Sequence, residues 1–412
     1  MRLRSIQRLQ KIVLAYSGGL DTSVSIKWLQ EKYDADVVTV TLDVGQQEDL
    51  NEIAEKARML GAISHYSISV VEEFLKNYIF PSIKANGLYE GKYPLSTALA
   101  RPLIATTLVE VAEKEGAFAV AHGCTGKGND QVRFDVTIKT LNPNLKIIAP
   151  VREWNLSRDQ EIKYAKENGV PVKAQKSVYS VDQNLWGRSI ESGPLEDPSV
   201  EPPTDAFEWT KPLDETPDEP GYLEIHFESG VPVSANGNSY DPIHLISYVN
   251  EFAGNHGVGI IDHMEDRLVG IKSREVYECP AAVCILEAHR DLEKLVLTRS
   301  ELAFKTQVEQ QWSWLVYTGL WLDPLREDLD AFIDATQTRV DGSVKLKLFK
   351  GGFRVVERSS PNSLYDLNLA TYEGVSKFDQ TAAVGFIDLW GLPSRVGFTK
   401  KARKKPLQQI RA

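Results

Sequence analysis

The sequence predicts an α/β protein, with a parallel-sheet domain first and a second, α+β domain after it. Three observations carry this. Short apolar runs alternate with amphipathic helical stretches from residue 12 to residue 167, the pattern of strands buried on both faces by helices. Between residues 193 and 220 the pattern stops: Pro194, Pro198, Pro202, Pro203, Pro212, Pro217 and Pro220 are interleaved with acids, which makes an irregular crossing or surface wrap. Beyond it, polar and apolar residues alternate at 222–227 and 344–348, as in antiparallel strands with one wet face.

In order along the chain, the first strand is Ile12-Val13-Leu14-Ala15-Tyr16, and a helix follows at 22–32. A strand at 37–42, a helix at 50–60, a strand at 63–67 and a helix at 71–83 come next. The remaining elements are a helix at 99–115, strands at 118–122 and 146–149, and a helix at 158–167. Ligands in such sheets sit beyond the carboxyl ends of the strands. Three polar clusters follow strands here, at 17–23, 43–47 and 123–130, and they are expected to meet at one crevice. The expected domains are 1–185, 186–385 and a C-terminal arm or tail over 386–412. The basic run Lys400-Lys401-Ala402-Arg403-Lys404-Lys405 is either a solvated tail or an arm onto a neighbouring subunit. The basic residues before the first strand read as a short surface extension rather than a targeting peptide. No internal repeat is evident.

Composition narrows the function. Hydrophobic residues make up 42% of the 412, enough for sizeable cores. A net charge of −10 argues against broad nucleic-acid binding and still leaves room for a local basic pocket. The three cysteines, Cys124, Cys279 and Cys284, form no CxxC pair and lack zinc-type partners. They fit a reducing, cytoplasmic setting. No apolar stretch approaches the ~20 residues that span a membrane.

The most informative segment is Ala15-Tyr16-Ser17-Gly18-Gly19-Leu20-Asp21-Thr22-Ser23. A strand, a small polar loop and a helix N-terminus hold phosphate well. Gly18 and Gly19 let the backbone turn and approach a ligand, its amides converge on anionic oxygens, and the helix dipole adds attraction. Ser17, Thr22 and Ser23 add hydroxyls, while Asp21, itself negative, is expected to cap the helix, hold the loop or face Mg²⁺ through water. With no lysine and no GxxxxGK[ST], this is not a Walker loop; it reads as a cradle for pyrophosphate, with ATP split to AMP. A second glycine loop runs from His122-Gly123-Cys124-Thr125-Gly126-Lys127-Gly128 into Asn129, Asp130 and Arg133, where a helix should begin. Asp130 beside Arg133 suits a zwitterion: carboxylate for ammonium, guanidinium for carboxylate.

The first loop resembles the N-type ATP pyrophosphatase superfamily, whose fold is Rossmann-like, of the adenine nucleotide alpha hydrolase type. The second loop narrows the choice, together with Tyr89-Glu90-Gly91-Lys92-Tyr93, Ala100-Arg101-Pro102, Tyr179-Ser180-Val181-Asp182-Gln183-Asn184-Leu185 and the run from Gly270 to Glu278. These segments, in this order, resemble the argininosuccinate synthase family from about residue 11 to about residue 390. The resemblance implies a ligase that adenylates the ureido oxygen of citrulline with ATP, releasing diphosphate, and then lets the aspartate amine displace AMP. Magnesium would accompany the nucleotide, with no metal held by protein ligands alone. The partners implied are ATP, L-citrulline and L-aspartate, in a homotetramer.

The same resemblance assigns residues. Ala15, Tyr16, Ser17, Gly18, Gly19, Leu20, Asp21, Thr22, Ser23, Leu42 and Gly123 would bind ATP. Thr125, Asn129 and Asp130 would bind aspartate. Tyr89, Thr97, Asn129, Arg133, Ser180, Ser189, Glu265 and Tyr277 would bind citrulline. Asp130, Asn129 and Arg133 would stand closest to the chemistry, with the amine's proton going to Asp130 or to a pyrophosphate oxygen. Three places depart from the family's usual residues. Ser96-Thr97-Ala98 leaves Thr97 as either a citrulline contact or an N-cap. Gly187 and Arg188 precede Ser189. Glu275 follows Arg274, and is expected to bond with it or to reach another subunit. Two rivals stand beside this reading: another AMP-forming synthetase of the superfamily, and a nucleotide-binding homologue without turnover.

Overall fold

The structure, a computed structural model, describes residues 10–154, 158–171, 178–372 and 376–402. The basic leader before residue 10, and Arg403, Lys404 and Lys405 of the basic run, lie outside the described residues.

Five parallel strands form the first sheet: β1 (Gln10–Ala15), β2 (Ala35–Asp43), β3 (Ser64–Ser69), β4 (Ala119–Ala121) and β5 (Lys146–Ile148), in the order β3-β2-β1-β4-β5. All five expected strands are present, shifted by one or two residues at their ends. Both faces are covered, as continuous apolar strands require. Ile12, Leu14 and Val37 pack with Ile26, Leu29 and Ala57 on one side, and Val13, Val38 and Val40 join Leu103 and Leu108 on the other. The chain winds outward from β1 to β3 and then returns to place β4 on the other side of β1. The switch point therefore lies between the carboxyl ends of β1 and β4, where both glycine loops begin.

The expected helix at 71–83 is interrupted. It runs as Val71–Phe74, a π-turn over Leu75–Ile79, and Phe80–Lys84. Pro81 has no N–H to give to the carbonyl four residues back, and just before it the Phe80 amide bonds to Leu75, five residues back. The ladder slips by one residue ahead of the proline.

The alternating segments of the second half become two antiparallel sheets. The strands β6 (Ser180–Asn184), β7 (Gly187–Glu191), β11 (Ile260–Asp266) and β12 (Lys272–Glu278) make one, ordered β11-β12-β7-β6. The other contains β8 (Gly221–Glu228), β9 (Val231–Ala235), β10 (Asn238–Ser239), β13 (Gly342–Phe349) and β14 (Gly352–Ser359), ordered β10-β9-β8-β13-β14. Leu223 faces Leu346 and Ile225 faces Val344 across β8 and β13, so the apolar positions of both segments fall on one buried face. The proline-rich stretch holds only two short 3-10 turns, at Gly193–Glu196 and Thr204–Ala206.

The chain divides into two compact units, one ending at Asn362 and one beginning at Ser363. The second unit contains helices Leu367–Ala370, Ala382–Trp390 and Leu392–Ala402. Its Phe386, Ile387, Leu389 and Trp390 side chains are exposed.

Candidate active site

The switch point opens into a cavity of about 850 Å³. Its first wall is the loop after β1. Gly18 has φ +74, a left-handed conformation, and a Cβ there would sit 3.3 Å from Ile53 Cγ1. Gly19 is the N-cap of helix Leu20–Tyr33, with φ −66, so only Gly18 needs glycine for its backbone. Ser17 Oγ accepts from the Gly19 amide at 3.3 Å and lies 3.1 Å from Thr22 Oγ1. Ser23 turns away: it is fully buried, with its hydroxyl 3.2 Å from that of Tyr16. A lysine does reach this loop, from elsewhere in the chain. Lys56, on helix Leu50–Met59, donates to the Gly18 carbonyl at 2.5 Å.

The second wall is the loop after β4. Cys124 N–H donates to His122 Nδ1 at 3.2 Å, which leaves Nε2–H to donate to Asp135 at 2.8 Å. Gln131 Nε2 donates to the carbonyls of Gly126 (2.6 Å) and Gly128 (3.2 Å), stitching the loop to helix Asp130–Leu141. Asp130 and Arg133 project from the first turn of that helix and pair with each other at 2.9 Å. Arg101, from helix Ser96–Glu115, takes the other Asp130 oxygen at 2.8 Å. Burial alone would raise the Asp130 carboxyl, but the two guanidiniums outweigh it and hold it below the usual carboxylate range. Arg133 is 3% exposed. Its Nε donates to the Tyr317 carbonyl at 3.0 Å, while its Nη2 is buried with no hydrogen-bond partner.

The third wall is one face of the β11-β12-β7-β6 sheet. Ser189 lies opposite Asp182 on β6 and Tyr277 on β12, Ser180 lies opposite Glu191, and Glu265 lies opposite Ser273. Residues opposite or two apart share a face, which is how Ser180, Ser189, Glu265 and Tyr277 come to line one cavity. Glu265 is 2% exposed, not a solvated acid. Tyr277 donates to one of its oxygens at 2.7 Å and Tyr317 to the other. Burial still pushes its carboxyl above the ordinary value, against those two hydrogen bonds.

The cavity therefore gathers Ala15, Tyr16, Ser17, Gly19, Leu20, Asp21, Thr22, Leu42, Thr97, Gly123, Thr125, Asn129, Asp130, Arg133, Ser180, Ser189, Glu265 and Tyr277. Gly18, Ser23 and Tyr89 are not among its lining residues. Tyr89 stacks on Tyr317 at 3.4 Å and donates to the Asp266 carbonyl at 3.0 Å. Thr97 is no N-cap; Leu95 is, and the Thr97 hydroxyl lies 2.7 Å from that of Tyr93. Glu275 does not bond with Arg274, which pairs instead with Asp262 at 2.6 Å; Glu275 accepts from Arg267 at 2.6 Å and from Ser273 at 2.6 Å.

Sequence reasoning gave no role to Tyr317, Arg101, Arg267 or Glu191. Tyr317 ends helix Arg299–Tyr317, far along the chain, and accepts from Asn129 Nδ2 at 2.8 Å. Nothing local distinguishes it from a core aromatic. Arg101 falls within Ala100-Arg101-Pro102, where nothing in the local sequence points to a carboxylate partner. Cys279 and Cys284 are fully buried, and no cluster of three His, Cys, Asp or Glu side chains with metal-binding geometry occurs among the described residues. Nor is any described helix long and apolar enough to cross a membrane.

Comparison with known proteins finds matches along nearly the whole chain. Residues 11–171 match the Arginosuccinate synthase N-terminal HUP domain and residues 179–397 the Arginosuccinate synthase C-terminal domain. The chain is 59% identical over 388 residues to the argininosuccinate synthase of Pyrococcus furiosus, covering 94% of each chain. It is 58% identical to those of Dehalococcoides mccartyi and Bacillus cytotoxicus, in each case over 94% of this chain and 96% of the relative. With two glycine loops at the switch point of a parallel sheet, a facing antiparallel wall and these matches, the chain belongs to the argininosuccinate synthase family.

Proposed function

We propose that this protein joins L-citrulline to L-aspartate at the expense of ATP, releasing AMP and diphosphate, as the ligase of arginine biosynthesis. The observation that carries the reading is the convergence of both glycine loops and the polar sheet face on one cavity. It has room for three substrates held side by side, where alignment replaces collision.

The triphosphate lies along the loop after β1, with Gly123 and Leu42 completing the nucleotide pocket. Magnesium would accompany the nucleotide and would supply positive charge to the departing diphosphate. Citrulline extends its carboxylate to Arg133, whose unpartnered Nη2 fits that role, and its ammonium to Glu265. Asn129, Ser180, Ser189 and Tyr277 take its remaining polar atoms, with Thr97 and Tyr89 at its margin. Aspartate rests against Thr125, Asn129 and Asp130. The ureido oxygen attacks the α-phosphorus and diphosphate leaves. The aspartate nitrogen then attacks the ureido carbon of the citrullyl-adenylate and AMP leaves. No covalent bond to the protein forms; the chain aligns substrates, neutralises charge and excludes water.

We further propose a nucleotide-binding domain over 1–185, a catalytic and multimerisation domain over 186–385 and a C-terminal arm beyond, in a cytoplasmic homotetramer. The exposed apolar residues of the last unit support the arm. Solution mass tests the assembly. Release of diphosphate from ATP that requires citrulline tests the reaction, and release without citrulline, or none with all three substrates, would refute it.

A further inference from the structure

The attacking nitrogen enters as an ammonium and must shed a proton before its lone pair is available. Asp130 is poorly suited to accept it: each of its oxygens is held by an arginine, and those charges favour the ionised form. A different carboxylate faces the same cavity with no assigned task. Glu191 ends β7, two residues beyond Ser189 and on the same face, opposite Ser180, and it lines the cavity.

We propose that Glu191 is the general base that takes the proton from the aspartate ammonium; this rests on the function proposed above. Three charged groups face it. Glu275 from β12 lies within hydrogen-bond reach, Asp130 from helix Asp130–Leu141 is close enough to be felt as charge, and Arg267 follows β11. Arg267 Nη2 stands 3.2 Å from Glu191 and 2.6 Å from Glu275, while its Nη1 donates at 3.4 Å to the carbonyl of Lys127, inside the proposed aspartate loop. One guanidinium thus serves two carboxylates, an arrangement that readily holds one proton. Burial first, and then the Glu275 charge, push Glu191 up to about 7 against the pull of Arg267, where a base works best near neutral pH.

The step balances. The ammonium gives one proton to the Glu191 carboxylate. The freed lone pair forms the bond to the carbon of the protonated isourea, and the bond from that carbon to the bridging oxygen breaks with its electrons on AMP. The nitrogen's second proton leaves with the AMP phosphate, so the product is a singly charged guanidinium.

The test separates the two half-reactions in rapid-quench single turnovers. With ATP and citrulline alone, Glu191→Gln should form diphosphate within twofold of the unsubstituted protein. When aspartate is added, argininosuccinate formation should slow by about 100-fold or more, and the acid limb of its pH profile should vanish. Glu275→Gln should keep the second step and move that limb to lower pH, because the like charge is gone. An E191Q protein that makes argininosuccinate within threefold of normal would overturn the proposal. So would equal slowing of both steps, or an acid limb unmoved by E275Q, which also decides the matter if E191Q does not fold. Failure of the unsubstituted protein to release citrulline-dependent diphosphate would instead refute the proposed reaction itself.

Discussion

Tyr317 offers the sharpest perturbation, because its hydroxyl serves the proposed ammonium anchor from a helix with no other assigned task. In Tyr317→Phe the ring remains, with its stack on Tyr89 and its place under the Arg133 guanidinium at 4.9 Å. What is lost is the O–H donated to Glu265 and the acceptor for Asn129 Nδ2. A hydrogen bond to a charged group contributes about 1.5–3 kcal/mol, or roughly 10- to 150-fold. Glu265, 2% exposed, keeps only Tyr277 as a hydroxyl partner. The sign is fixed: Tyr317 lowers the Glu265 carboxyl while burial raises it, so its loss moves the carboxyl further up and leaves less carboxylate near neutral pH. The citrulline KM should therefore rise about 10- to 100-fold, and recover part of the loss as pH is raised. ATP affinity should stay within twofold, since neither lost bond, to Glu265 or to Asn129, involves the loop after β1. Initial rates at varied citrulline, measured from about pH 6 to about pH 9, above the ordinary carboxyl value of about 4 and on the side towards which burial moves Glu265, provide the assay. A citrulline KM unchanged at every pH in a folded variant would refute both the placement of citrulline against Glu265 and the role given to Tyr317.

Other expectations follow from single contacts. Gly18→Ala should weaken ATP binding about 5- to 30-fold or lower Tm by several degrees, since a left-handed φ costs an L-residue about 1–2 kcal/mol; Gly19→Val should abolish ATP binding with the fold retained, because its φ of −66 accepts a side chain that then stands in the cavity. Equilibrium dialysis and thermal melts distinguish the two. Asp130→Ala should impair aspartate use far more than ATP binding, and the buried Arg133, having lost its ion pair while Arg101 keeps Asp182, should lower stability in urea; near-normal aspartate kinetics would refute the assignment. Lys305→Met should destabilise by about 3–5 kcal/mol, as Lys305 is 2.8 Å from the 1%-exposed Glu293, and an unchanged urea midpoint would contradict this. Asp130 and Asp135 are both held below the usual range, by Arg101 and Arg133 and by His122 and Arg152 respectively. Their stabilisation should be complete above the ordinary carboxyl value of about 4 and fade as pH falls through their lower folded values, which an acid titration followed by circular dichroism would reveal.

The chain order of the first sheet was readable because each element carries its own signal. Ile12-Val13-Leu14 is apolar on both faces and is followed at once by small polar residues, so strand, loop and helix are decided within a dozen positions. The left-handed turn at Gly18 follows from glycine itself. The second sheet was readable only as alternation: 222–227 and 344–348 announce strands with one wet face, and nothing in either segment says that they pair with each other. The π-turn before Pro81 escaped because a proline's effect on a ladder depends on whether the carbonyls before it find other donors.

By itself, the sequence determined the parallel sheet, the glycine loop after its first strand and the residue types at the cavity, because backbone preference and hydrophobic period act over a few neighbours. Tertiary structure decided their partners. It paired Asp130 with Arg101 and Arg133, set Tyr317 against Glu265, and gave Glu275 to Arg267 rather than to the adjacent Arg274. Coulomb and hydrogen-bond terms depend on distance in space, and alternation along a strand sends adjacent residues to opposite faces.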